Sequence, residues 1–177
     1  MFDGFKRIAG NQTLKKRLEK LVCKRCFHNF TTAKSVGLLY VHNNSVEKEV
    51  NEFIQFLTKR GIKVQTLAYS NLSTQLSFAN ADNRHLLCKA QTNWFGKPQS
   101  DEVETFIKTH FDILIDFSRN ENYSLRYIAT LSQAAMRVGR LAYPKNPYEF
   151  IITMPSGSDD KAFIQQLEQY LQTIQTA

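Results

Sequence analysis

Residues 35–69 read SVGLLYVHNNSVEKEVNEFIQFLTKRGIKVQTLAY, and the change of period inside this stretch decides the fold. Ser35–Val41 is an apolar run of strand length, closed by the polar break His42-Asn43-Asn44-Ser45. Val46, Val50, Phe53, Ile54 and Leu57 then recur at spacings of three and four, which predicts a helix with one buried face. Ser45 is placed to cap it, Glu47 and Glu49 suit the positive end of its dipole, and Gly61 ends it. From Ile62 to Tyr69 the chain alternates as IKVQTLAY, a second strand. Strand, helix and strand in this order predict a parallel pair joined by a right-handed crossover.

Downstream the same grammar continues. Residues 70–85 are polar and follow no period, so they read as an irregular crossover or a weak helix. His85–Ala90 is the third expected strand, followed by the loop Thr92-Asn93-Trp94-Phe95-Gly96-Lys97-Pro98. Ser100 is expected to cap a helix that turns Val103, Phe106 and Ile107 inward. Phe111–Phe117, FDILIDF, is the clearest buried strand; Ser124 is expected to cap a helix to about Ala135, and Met136–Gly139 is a short strand. Tyr148–Met154 reads as the last strand, and only residues 140–147, with Pro144 and Pro147, join it to its predecessor. No helical crossover fits that length, which predicts an antiparallel edge strand. A closing amphipathic helix spans roughly Asp160–Gln175. The pattern predicts an α/β three-layer sandwich, a Rossmann- or flavodoxin-like, mostly parallel sheet, in one domain over residues 35–177.

Upstream, residues 1–34 form a basic arm. They hold nine basic side chains against Asp3 and Glu19, which accounts for the whole formal charge of +7, so residues 35–177 sum to zero. Leu14, Leu18, Leu21, Val22 and Cys26 follow helical spacing, while Lys15, Lys16, Arg17, Lys20, Lys24 and Arg25 supply the positive charge. A basic amphipathic helix of this kind is expected either to pack its stripe on the domain or to meet a polyanion. RNA or a ribonucleoprotein is the preferred partner and an anionic membrane surface, reached through Phe2, Phe5 and Ile8, the alternative.

Composition excludes several classes. At 42% hydrophobic and 22% charged, with 7 Gly and 4 Pro among 177 residues, the chain lies outside disordered and fibrous compositions. No run approaches the 18 or so apolar residues of a spanning helix, and no apolar leader with a small-residue cleavage site opens it, which predicts a cytoplasmic protein. Three cysteines do not make a disulfide scaffold. Cys23 and Cys26 form CKRC near the end of the basic helix rather than at a helix start, which argues against thiol exchange, and no second Cys or His pair stands at ligand spacing. No metal, cofactor or catalytic residue is assigned.

The pieces NWFGKP, FDILIDFS and SLRYIATLSQAAMRVGR, taken with their spacing, resemble an uncharacterised family of small Bacteroidota proteins, a domain of unknown function. The resemblance implies a bacterial cytoplasmic origin and an α/β fold, and carries no activity with it.

Ligands of parallel α/β sheets bind outside the carboxyl ends of the strands, so the candidate cleft residues come from those loops. The loops offer His42, Asn43 and Asn44 after the first strand, Asn93, Trp94 and Lys97 after the third, and Asp116, Ser118 and Arg119 after the fourth, of which Asn43, Asn44, Trp94, Lys97, Asp116 and Ser118 are the candidates. The first loop holds neither GxGxxG nor a Walker A sequence, so it lacks the cradle for a dinucleotide or nucleoside triphosphate. The sole Trp in a loop with Lys97 is expected either to serve recognition of a base, a sugar or a peptide or, with Phe95, to fold down on the sheet edge. The leading expectation is a non-catalytic module tethered by its arm to RNA; the alternatives are a small-molecule-binding protein or enzyme using the cleft near Trp94 and Asp116, and a peripheral membrane protein.

Overall fold

A computed structural model describes residues 10, 12, 14, 17, 25–72 and 83–174. The sheet has six strands: β1 (Ser35–Val41), β2 (Lys63–Ser70), β3 (Arg84–Cys88), β4 (Ile113–Asp116), β5 (Met136–Gly139) and β6 (Phe150–Ile151). Over residues 25–72 and 83–174 they are accompanied by the helices α1 (Asn44–Lys59), α2 (Asp101–Lys108), α3 (Tyr123–Leu131) and α4 (Asp160–Thr173) and a 3₁₀ turn at Lys89–Gln91. The expectations for residues 73–82, Cys23 and the lysines at 15, 16, 20 and 24 lie outside the described residues.

The strand order is β3-β2-β1-β4-β5-β6 and every pairing is parallel. This is the doubly wound arrangement, in which the order reverses between β1 and β4. Two apolar cores cover the two faces. Val36, Leu38 and Tyr40 point from β1 toward α1 and α4, where they meet Val50, Phe53, Phe163 and Leu167. Leu39 points the other way, with Leu67 and Leu114, toward Phe106, Leu125 and Ile128 of α2 and α3. The period of two along each strand thus feeds both layers, as a sheet covered on both faces requires.

The last strand corrects the expectation of an antiparallel edge. Phe150 and Ile151 pair in parallel with Val138 and Gly139. The expected length was the source of the error: a seven-residue strand needs a long return, whereas β6 has two residues and β5 four. At about 3.3 Å per residue, the chain between Gly139 and Phe150 has ample reach to run back along so short a strand without a helix.

Two helix starts also differ from expectation. Asn43 caps α1, its side chain accepting from the Val46 N–H, and Asn122 caps α3 by accepting from the Leu125 N–H. Ser124 instead lies inside α3, where its hydroxyl donates to the Gly96 carbonyl at 2.7 Å. Ser100 does precede α2, but its hydroxyl bonds the Glu102 carboxylate rather than a backbone N–H. Asn presents the same carbonyl acceptor as Asp and stands two residues before the expected Ser in both helices, which leaves Ser124 for its contact with Gly96.

Candidate functional site

Above the reversal point, between the carboxyl ends of β1 and β4, lies a crevice of about 400 Å³. One wall is the start of α1, with Asn43, Ser45 and Val46; the other is the loop after β4, from Phe117 to Asn122. Asp160, the first residue of α4, closes the end. Three helices of 16, 9 and 14 residues therefore begin at this crevice, and each directs the positive end of its dipole toward it.

The β4 loop is held from below. Asp116 ends the strand and is 2% exposed. Its Oδ1 accepts from the Ser118 N–H at 2.8 Å and its Oδ2 from the Tyr148 hydroxyl at 2.6 Å. Burial pushes the Asp116 carboxyl up from its ordinary value, against the opposing effect of Ser118 and Tyr148. The space among Asp116, Tyr143 and Tyr148 is only about 10 Å³, room for a water at most, so Asp116 shapes the loop rather than meeting a ligand. Gly139 makes the bond to Tyr148 possible: a Cβ there would lie 2.5 Å from the Tyr148 ring.

Ser118 is 7% exposed, and its hydroxyl has no hydrogen-bond partner although it lines the crevice. It stands near enough to Asp116 to favour the ionised carboxyl, yet outside hydrogen-bond geometry. A buried hydroxyl left without a partner costs free energy that a bound ligand can recover.

Charge at the crevice is set by a triad of which the sequence offered Arg119 alone, as a residue after the fourth strand, and not its partners. Arg119 binds Asp160 through two bonds, Nε to Oδ1 at 3.1 Å and Nη2 to Oδ2 at 2.7 Å. Arg140, at the end of β5 and buried, donates to the same Oδ1 at 2.7 Å and stacks 4.8 Å from the Phe163 ring. One carboxylate, 1% exposed, thus bonds two guanidiniums, with the charge of Asp159 close to both, and Arg119, whose side chain is 46% exposed, faces outward. The neighbouring carboxylate Glu121 has its own partner in Arg126 at 2.7 Å. Residues 119 and 140 follow β4 and β5 and residue 160 opens α4, and no local pattern links them; the hint was a charge directly after a strand or at a helix start.

The other expected site residues lie elsewhere. Asn44 opens α1 and is exposed, beside the crevice wall formed by Asn43 and Ser45. Trp94 and Lys97 belong to a tight turn after β3, at the edge of the sheet and three strands from β4. Asn93 organises that turn by accepting from the N–H groups of Phe95 and Lys97, and Thr92 bridges Pro98. Gly96 supplies its positive φ of 89°. Trp94 is 62% exposed and rests edge-on against Phe95, which in turn contacts Tyr123 of α3. The turn is thereby tied to the start of α3 but does not line the crevice.

Of the arm's candidate residues, Arg17 and Arg25 are described. Arg17 forms a two-bond pair with Glu104 of α2, at 2.7 and 2.8 Å, and donates to the Tyr127 hydroxyl at 2.7 Å. Arg25 pairs with Glu149 at 3.4 Å and donates to the Ala134 carbonyl. Leu14 is buried in the α2–α3 core, and the Gly10 carbonyl accepts from the Tyr123 hydroxyl. Among the described residues no three His, Cys, Asp or Glu side chains cluster as metal ligands, and no helix is long and apolar enough to cross a membrane.

Neither the curated proteins nor the solved structures contain a match to this chain. A family model does match, over residues 6–174, which takes in most of the arm and of the α/β domain; the chain belongs to a family of unknown function, DUF6913.

Proposed function

We propose that the protein binds a small molecule in the crevice between β1 and β4. The observation that carries this reading is the position of the crevice: it opens at the carboxyl ends of the strands where their order reverses, the place at which open parallel sheets bind ligands. Its volume, about 400 Å³, lies within the range of small-molecule sites. The test is a thermal-shift screen of the full chain against metabolite pools, repeated on Asn120→Trp, which fills the crevice from its wall. A hit that raises the melting temperature of the parent and leaves Asn120→Trp unmoved supports the reading. Pools without effect, or hits indifferent to Asn120→Trp, overturn it.

A second reading concerns the arm, and the segregation of the whole +7 charge into residues 1–34 favours it. With Arg17 and Arg25 engaged on the domain, contact with a polyanion falls to Lys15, Lys16, Lys20 and Lys24. RNA is the partner we favour, in a cytoplasmic setting. The full chain should bind RNA with an affinity that falls steeply with salt, and replacing these four lysines by Gln should weaken it across unrelated sequences. Binding to anionic vesicles and not to RNA would move the reading to a membrane surface.

A further inference from the structure

Resting on the crevice reading above, we infer that the group this crevice receives is the phosphoryl group of a small phosphate monoester, held by the Ser118 hydroxyl and by Arg119. Two independent observations point to an anion of this kind. The first is Ser118 itself, a hydroxyl more than nine-tenths buried, without a partner, on the crevice wall. It can donate to a phosphoryl oxygen or accept from a protonated one.

The second is Arg119, which lines the crevice and spends only Nε and one Nη2 hydrogen on Asp160, while the buried Arg140 takes the same carboxylate and Asp159 adds negative charge beside both. Arg119 is half-exposed and retains donors for a second anion. A carboxylate ligand would satisfy one guanidinium edge; a phosphoryl group has three terminal oxygens and can meet Arg119, Ser118 and a helix start together. The starts of α1 and α3 add backbone N–H groups and positive dipole ends on two sides, while the dipole of α4 is already answered by Asp160.

The carboxylates that oppose an anion are Glu121, paired by Arg126 at 2.7 Å, Asp160, held by Arg119 and Arg140, and the nearby Asp159. The crevice is larger than free phosphate requires, and its further lining is amide-rich, with Asn71 and Asn120, which suits the hydroxyls of a polyol or sugar skeleton. The first loop has no glycine run to wrap a diphosphate, which restricts the ligand to a monoester.

The experiment titrates the full chain with inorganic phosphate, glycerol 3-phosphate and ribose 5-phosphate at constant ionic strength, following heat and melting temperature. Acetate and the unphosphorylated polyols serve as controls. The esters should bind, tighter than free phosphate, and Ser118→Ala and Arg119→Gln should each weaken them about tenfold or more. Lys15→Gln/Lys16→Gln should bind as the parent does. Circular dichroism of the unliganded variants confirms that each is folded, and Arg119→Lys, which keeps charge but not the fork, should recover part of the loss. Phosphate affinity that follows the lysines and ignores Ser118 and Arg119 overturns the proposal. So does binding of an uncharged compound that is blocked by Asn120→Trp while phosphate esters have no effect; in that case the small-molecule reading stands and the phosphoryl assignment falls. If nothing binds and Asn120→Trp changes nothing, both fall.

Discussion

The Tyr148 hydroxyl donates to Oδ2 of Asp116 at 2.6 Å, across the junction of β4, β5 and the strand connection that follows. The bond joins a loop residue before β6 to the last residue of β4, and so fixes the loop that carries Ser118 into the crevice. Burial and the Asp116 charge push the Tyr148 hydroxyl far above its ordinary range, so it remains a donor at any accessible pH.

Asp116→Asn should make stability less sensitive to pH. Burial raises the Asp116 carboxyl above its ordinary value of 3.8. The unfolded chain therefore releases this proton first, and stability present below pH 3.8 is lost as pH rises through the folded-state value. Glu104 and Glu149, whose values are lowered, act in the opposite sense in both proteins and cancel in the comparison. Melting curves of parent and variant from pH 3 to 8 should therefore diverge upward in favour of Asp116→Asn; parallel curves would show that Asp116 has an ordinary acidity.

Gly139→Ala should displace Tyr148. The added Cβ meets the aromatic ring at 2.5 Å, closer than carbon atoms approach, and overpacking of this kind costs about 1–3 kcal/mol. Tyr148→Phe keeps the ring and removes the hydroxyl, so it should leave the packing intact and cost less. Denaturant unfolding of the two variants should rank them in that order.

Leu14→Ala and Arg17→Ala should separate the arm's packing from its charge. Leu14 is 5% exposed within the α2–α3 core, and its truncation should cost about 2–3 kcal/mol. The Arg17 and Glu104 side chains are 36% and 35% exposed, so solvent screens their pair and its loss should cost no more than about 1 kcal/mol, less in high salt. Chemical denaturation in low and high salt checks both; a salt-independent loss at Arg17 would assign its effect to the Tyr127 contact instead.

Trp94 should report on solvent and not on the crevice. At 62% exposure it should be quenched readily by acrylamide, while a crevice ligand should leave its emission unchanged. A ligand that does shift Trp94 emission would bind at the turn after β3, where Trp94 and Lys97 stand together.

How far the sequence could be read depended on whether the deciding force is local. The helix over residues 44–59 follows from Val46, Val50, Phe53 and Leu57, and all four are buried as their spacing requires. The strand Ile113–Asp116 was legible in the same way, as an unbroken apolar run covered on both faces. Among the candidate cleft residues, Asn43 and Ser118 do line the crevice, because a residue just beyond the carboxyl end of a strand at the reversal point has nowhere else to lie. Trp94 and Lys97 follow the same local rule after β3, but β3 is the sheet edge, and only strand order separates the two cases.

The amino-acid sequence by itself determined which segments are helices and strands, which of their faces are apolar, and that all net charge lies in the first 34 residues. Each of these rests on periodicity or composition over a few turns of chain. Tertiary structure alone decided the strand order, the parallel course of β6, the burial of Leu14 and the meeting of Arg119 and Arg140 on Asp160. Those relationships join residues 12 to more than 100 positions apart, and the energy that selects them is the burial and pairing of the whole sheet, which no short window contains.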